Sequence, residues 1–210
     1  MSSAKTDPIS TAIDAIALNG YAIIENFLTP TDIAALTNIV KEKWLNGNML
    51  SAKTGQTGLS NQNIRGDYIA WLETQNQLPA INNYMQQMEQ LRNMVNMHLF
   101  LNVQELETHM ALYPIGSAYQ KHLDQFHHGD ANQIQYRQLS AVLYLNPNWQ
   151  ASDGGALKLY LDEQKSIEIL PNAGRMVLFL SARLWHEVLP AQRERLSITG
   201  WFRTRSHSVI

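Results

Sequence analysis

Apolar residues recur at helical spacing through the first half of the chain. Asp7-Pro8 reads as an N-cap followed by a proline at the first helical position, and Ile9, Ile13 and Ile16 then fall on one face until Asn19-Gly20 ends the pattern. Tyr21 to Phe27 is apolar and partly β-branched, which predicts a strand. Thr29-Pro30 opens a second helix with Asp32 at the capping-box position, and Ile33, Leu36, Val40 and Trp44 share one face of it. Residues 46–66 are rich in Asn, Gly, Ser, Thr and Gln and predict a long loop. A third helix is predicted from about Pro79 to His98, with Ile81, Met85, Met88, Leu91 and Val95 facing a core.

From residue 104 the period shortens to two. Thr108 to Tyr113, Leu139 to Leu145, Ala156 to Tyr160, Ser166 to Leu170, Arg175 to Leu180, Glu187 to Leu189 and Arg195 to Arg203 read as strands. Asn146-Pro147-Asn148, Asp153-Gly154-Gly155 and Pro171-Asn172-Ala173-Gly174 supply turns between several of them. Many short strands at close spacing predict an antiparallel sandwich or barrel, and helices preceding strands predict helices packed on one sheet face. The fold class is therefore α+β, mainly β, in a single domain: helical support over about residues 1–103 and a β core over about 104–205.

Composition narrows the chemistry. There is no cysteine among 210 residues, which removes disulfides, thiolate zinc sites, iron–sulfur clusters and a cysteine nucleophile. A net charge of −2 provides no basic field for nucleic acid and no polybasic patch for a membrane. The polar start from Met1 to Asp7 carries no secretory signal pattern, so a cytoplasmic location is expected. Phosphate-binding, dinucleotide-binding, nucleophile-elbow and H-E-x-x-H motifs are all missing.

What remains is a histidine and carboxylate pattern. His122-Leu123-Asp124 is an H-x-D; on an extended segment both side chains project to one side. His186, much later, is placed to arrive from another strand. Two histidines and a carboxylate form the facial triad that suits non-haem Fe(II) and leaves positions open. His128-Gly129-Asp130 repeats the H-x-D spacing within a turn-like composition and reads as a solvated loop. His98, His109 and His207 lack a carboxylate two residues on and read as packing or surface residues. Arg195 shares a strand face with Ser197, Thr199 and Trp201, while Leu196 and Ile198 take the other. An inward arginine requires an anion, and a dicarboxylate ligand would supply one.

Several ordered stretches, taken together, carry a family resemblance: Tyr113-Pro114 through Gly116, Tyr119, His122 and Asp124; Tyr144-Leu145-Asn146, Trp149 and Gly154 to Leu157; His186-Glu187-Val188 and Pro190; and Arg195 to Trp201. Over roughly residues 20–203 the chain resembles the prolyl hydroxylase branch of the 2-oxoglutarate oxygenases, and compact bacterial members above all. Asn63 to Asp67 with Ile69 and Trp71 to Glu73 resembles the segment following the mobile substrate loop of oxygen-sensing prolyl hydroxylases. Trp185 departs from the proline common at that position in the animal enzymes.

The resemblance implies a double-stranded β-helix (jelly-roll) core with N-terminal supporting helices. It implies Fe(II) held by His122, Asp124 and His186, with 2-oxoglutarate and O2 as co-substrates and ascorbate as reductant. Arg195 and Tyr144 would hold the far carboxylate of 2-oxoglutarate, with Tyr113 and Trp201 lining the pocket. Arg65, Asp67, Tyr119 and Arg137 would face the substrate, with an Asp67–Arg137 pair behind the loop, and residues 46–66 would close over it. The implied partner is a protein bearing a target proline, with elongation factor Tu the candidate suggested by bacterial relatives, and the enzyme is expected to be a monomer. The alternatives are the same chemistry on a lysyl residue, a small metabolite or an alkylated base, or a non-enzymatic jelly-roll module with a structural metal.

Overall fold

The computed structural model describes residues 7–52, 64–72, 78–125 and 136–204. Three helices and eleven strands occur among them, in the order α1 (Pro8–Asn19), β1 (Tyr21–Ile24), α2 (Pro30–Leu45), β2 (Leu50–Ser51), β3 (Tyr68–Trp71), α3 (Pro79–Leu99), β4 (Glu105–Tyr113), β5 (Tyr119–His122), β6 (Arg137–Tyr144), β7 (Leu157–Tyr160), β8 (Ser166–Ile169), β9 (Met176–Leu180), β10 (Trp185–Val188) and β11 (Arg195–Arg203).

The helix boundaries follow their local signals. Asp7 accepts a hydrogen bond from the Ile9 N–H and Pro8 sets the first turn of α1. Gly20 ends that helix in the left-handed region, at φ 84°. At α2, Thr29 Oγ1 accepts from the Asp32 N–H at 3.1 Å and donates to Asp32 Oδ2 at 2.6 Å.

All strand pairs are antiparallel, in a seven-stranded sheet ordered β1-β9-β6-β11-β4-β3-β2 and a four-stranded sheet ordered β5-β10-β7-β8. The strand period of two sorts side chains between two cores. Met110, Leu112, Leu143, Leu178, Leu196 and Ile198 join the three helices in one buried cluster. Their neighbours Ala111, Tyr113, Val142, Tyr144, Val177 and Phe179 join Leu157, Leu159 and Val188 of the smaller sheet in the other. The helices thus cover one face of the large sheet, and the small sheet covers the opposite face, giving the expected jelly-roll layout. No described helix is long and apolar enough to cross a membrane.

Three details differ from the sequence reading. β2 and β3 extend the large sheet within the segment expected to be helical and looped. β10 begins at Trp185, so His186 lies within a strand instead of ahead of one. β5 ends at His122, which leaves Asp124 in the bend beyond it. Residues 53–63 of the expected substrate loop, and the rival His128-Gly129-Asp130, lie outside the described residues.

Candidate metal centre

Two strands and one bend meet at a point between the sheets. His186 on β10 sits directly opposite His122 on β5 in the ladder, and their rings are 4.1 Å apart by centroid. The third group comes from the bend: Asp124 places Oδ1 3.6 Å from His122 Nε2 and Oδ2 3.6 Å from His186 Nε2. One ligand atom from each of the three lies within 4.8 Å of the others. H-x-D brings these side chains together, although Asp124 is beyond the strand end and not on it.

The surroundings fix each donor. His122 Nδ1 lies 2.7 Å from the Gln120 carbonyl and His186 Nδ1 lies 3.1 Å from the Leu184 carbonyl. An N–H donated to each carbonyl leaves the Nε2 lone pair for a metal. Ser140 Oγ donates to Asp124 Oδ2 at 2.6 Å and lies 2.8 Å from Ser181 Oγ. Neither serine was singled out from sequence; the signal available was Ser140 on the inward face of β6. Burial alone would raise the Asp124 carboxyl, but His186, His122 and Ser140 outweigh it and hold the group well below the usual carboxylate range. Burial, opposed by Asp124, pushes the His186 imidazole down to about 4, so it is neutral at neutral pH. Two imidazole nitrogens and an ionised carboxylate, all on one side, suit Fe(II) with open positions. Tyr119, stacked on His122 at 3.6 Å, and Phe179, 4.6 Å from His186, hold the rings in place.

Arg195 opens β11 on the same face. It is 2% exposed, and among the described residues its only side-chain hydrogen bond is donated by Nη2 to Tyr144 Oη at 3.3 Å. The guanidinium lies about 5 Å from the Tyr113 and Tyr144 rings. Its Nε is buried without a partner, and no carboxylate among the described residues pairs with it. A buried cation in that condition calls for an anion from outside the chain. Burial raises the Tyr144 phenol above its ordinary value even against Arg195, so it keeps its proton as a donor. Two features of the neighbouring loops position Arg195. Asn146 accepts from the Leu196 N–H at 2.7 Å and donates to the Leu196 carbonyl at 3.0 Å, which clamps the next residue. Gly155, at φ 68°, leaves the space where a Cβ would stand 2.8 Å from Ala191 Cβ and 3.5 Å from Arg195 Cδ.

Farther out, Arg65 donates to both oxygens of Asp67, at 2.6 and 2.9 Å. The expected Asp67–Arg137 pair is therefore absent. Arg137 instead donates to Glu107 at 3.2 Å and lies 3.6 Å over the Trp201 ring. The strand order explains the exchange. β6, which carries Arg137, is separated from Glu107 on β4 by β11 alone, whereas Asp67 leads into β3, one strand farther away. Arg65 also lies 4.9 Å over the Tyr119 ring. Between these groups a cavity of about 420 Å³ runs from Leu50 and Trp71 at the surface inward to Asp124. Tyr113, Trp201 and Arg195 line the chamber beneath it together with the triad. Ten of the eleven candidate site residues line these two spaces, and Tyr144 stands behind them, in contact with Arg195.

Known proteins share this chain's sequence pattern and fold. Residues 108–203 match the model of the 2OG-Fe(II) oxygenase superfamily. A prolyl-4-hydroxylase of Pseudomonas putida superposes with a TM-score of 0.82 at 40% identity, over 94% of this chain and 99% of that one. A prolyl hydroxylase of Trichoplax adhaerens, solved with a hypoxia-inducible factor peptide fragment, gives a TM-score of 0.82 at 30% identity, over 92% and 88% of the two chains. Over 102 residues the chain is 38% identical to the hypoxia-inducible factor prolyl hydroxylase of Caenorhabditis elegans, a match that spans 46% of this chain and 13% of that protein. The chain belongs to the 2OG-Fe(II) oxygenase superfamily and is a dioxygenase of the prolyl hydroxylase type, dependent on Fe(II), 2-oxoglutarate and O2.

Proposed function

We propose that this enzyme hydroxylates a prolyl residue of a protein substrate, and that elongation factor Tu is that substrate. The observation that carries the reading is Arg195: a buried, carboxylate-free guanidinium in the same chamber as a two-histidine, one-carboxylate triad. A dicarboxylate with one end at the triad and the other at Arg195 satisfies both.

In this reading His122, Asp124 and His186 hold the iron. The iron, when bound, couples oxidative decarboxylation of 2-oxoglutarate by O2 to insertion of one oxygen atom into a substrate C–H bond, yielding succinate, CO2 and an alcohol. Arg195 pairs with the distal carboxylate, and the Tyr144 hydroxyl donates to it. Tyr113 and Trp201 wall the chamber and exclude water. No side chain acts as a general base, because the hydrogen removed is bound to carbon. Arg65, held by Asp67, and Tyr119 and Arg137 form the outer face that meets the protein. The Trichoplax relative's peptide complex and the outer cavity support a polypeptide over a free metabolite. The enzyme acts as a cytoplasmic monomer in this proposal.

The test is purified enzyme with Fe(II), 2-oxoglutarate and elongation factor Tu, followed by succinate release and by mass spectrometry of proline. Added oxygen on one proline, stoichiometric with succinate, is expected. Arg195→Met should raise the 2-oxoglutarate KM by about 100-fold, since it removes a charged hydrogen-bond partner. An unchanged KM in that variant would refute the role of Arg195. Oxygen on another host protein, with none on elongation factor Tu, would replace the substrate and keep the reaction.

A further inference from the structure

Among the described residues, His109 is the one histidine of the site face that the proposed reaction leaves without a task. It lies on β4, two and four residues before Ala111 and Tyr113, and projects to the same side as they do. Its cross-strand neighbours are Trp71 on β3 and Thr199 on β11. The imidazole is 1% exposed and stands 5.1 Å by ring centroid from both Trp71 and Trp201. It borders the outer cavity and the metal chamber alike.

Among the described residues neither ring nitrogen has a hydrogen-bond partner, and Trp201 Nε1 beside it is also buried without one. A residue kept only for packing would not carry two polar atoms that each cost free energy when left unpaired. Burial, aided by the charges of Arg65 and Arg137, pushes the imidazole down to about 3. It is therefore neutral and offers one donor and one acceptor, while Trp201 offers a donor. The complementary group needs acceptors and a donor in close succession, and a peptide main chain provides them. A proline itself has no N–H, and the nearest donor along the chain is the N–H bonded to its carbonyl carbon, that of the residue after it. The cover over His109 is Trp71, which is 52% exposed and so can give way to an incoming chain.

We propose that His109 is a specificity-determining residue that reads the substrate main chain: its imidazole accepts from the N–H that follows the target proline and donates to an adjacent main-chain carbonyl. The inference rests on the peptidyl-proline reading. Its test uses whole enzyme with Fe(II), 2-oxoglutarate, O2 and a pool of synthetic peptides, each with one central proline. Hydroxyproline is read by mass spectrometry.

His109→Leu should lower kcat/KM for the best peptide about tenfold or more, mainly through KM, and His109→Gln, which keeps a donor and an acceptor, should recover most of it. The visible charge-transfer band of anaerobic Fe(II) enzyme with 2-oxoglutarate should titrate alike in all three proteins. N-methylation after the proline should cost the parent about tenfold and the His109→Leu variant nothing further. Equal losses in both proteins, or a His109→Leu variant as active as the parent, would overturn the proposal. A parent that hydroxylates no peptide of the pool would overturn this inference alone, and one that also adds no oxygen to proline of any intact host protein would overturn the peptidyl-proline reading with it.

Discussion

Replacing His109 by leucine should make the protein less sensitive to acid, and the size of the effect follows from burial. In the folded chain burial pushes this imidazole from its ordinary 6.5 down to about 3. The unfolded chain therefore binds a proton in a range where the folded chain does not, and stability falls as pH drops from 6.5 towards 3. At about pH 5 the lost stability is about 2 kcal/mol, and at about pH 8 it is near zero. His109→Leu removes the titrating group at similar volume and relieves two unpaired nitrogens, a gain of about 1–3 kcal/mol, against which stand about 0.5–1.5 kcal/mol of lost aromatic contact with Trp71 and Trp201. Urea unfolding of iron-free protein at both pH values measures each term. His186 also titrates low through burial, but it does so in both proteins and cancels in the difference. The variant should lose about 2 kcal/mol less than the parent between the two pH values. Parallel losses in parent and variant would mean that His109 is hydrated or paired in solution, and the reasoning would fail. A variant more stable yet poorer with peptide would place His109 among residues kept for function at a cost in stability.

Two further perturbations probe the shell around the site. Ser140→Ala removes the hydrogen bond to Asp124 Oδ2 and should weaken Fe(II) binding about 10–100-fold, as read by competition with a chelator; undiminished affinity would show that Asp124 is oriented by its bend alone. Gly155→Ala sets a Cβ 2.8 Å from Ala191 Cβ in a backbone of positive φ, and should cost about 1–3 kcal/mol while raising the 2-oxoglutarate KM through Arg195. A thermal scan that finds parental stability would contradict the contact.

The elements that the sequence revealed are those whose signals are local or long. Asp7-Pro8 and Thr29-Pro30 mark helix starts because a cap needs only neighbouring residues. β4, β6 and β11 are legible because eight or nine residues give the period of two room to repeat. β2, β3 and β5, at two to four residues, are too short to show a period by themselves; β7 and β8, at four residues each, were legible through the Gly154-Gly155 and Pro171-Asn172 turns beside them. The triad could be read because its chemistry restricts residue types, and Arg195 because an inward cation demands a ligand. Partner choice was not legible: Arg137 could meet Asp67 or Glu107, and only strand order decides. His109 was read as packing because it lacks a carboxylate neighbour. Its shared face with Tyr113 was present in the alternation, but its unpaired nitrogens are a property of the fold.

The site cannot be separated from the core that supports it, and β11 shows why. Leu196, Ile198 and Phe202 on one face enter the helix-backed cluster, while Arg195, Thr199 and Trp201 on the other line the chamber. A slip of one residue in this strand would bury the wrong set on both sides at once. Asn146 guards against it at the point that matters, by holding both main-chain groups of Leu196 immediately after Arg195. The helical half of the chain contributes to function in the same way. Its three helices carry none of the candidate site residues, but they bury the face of β11 whose alternate residues line the chamber. The apolar face of that strand thus fixes the register, and the register in turn delivers the Arg195 guanidinium to the chamber that holds the triad.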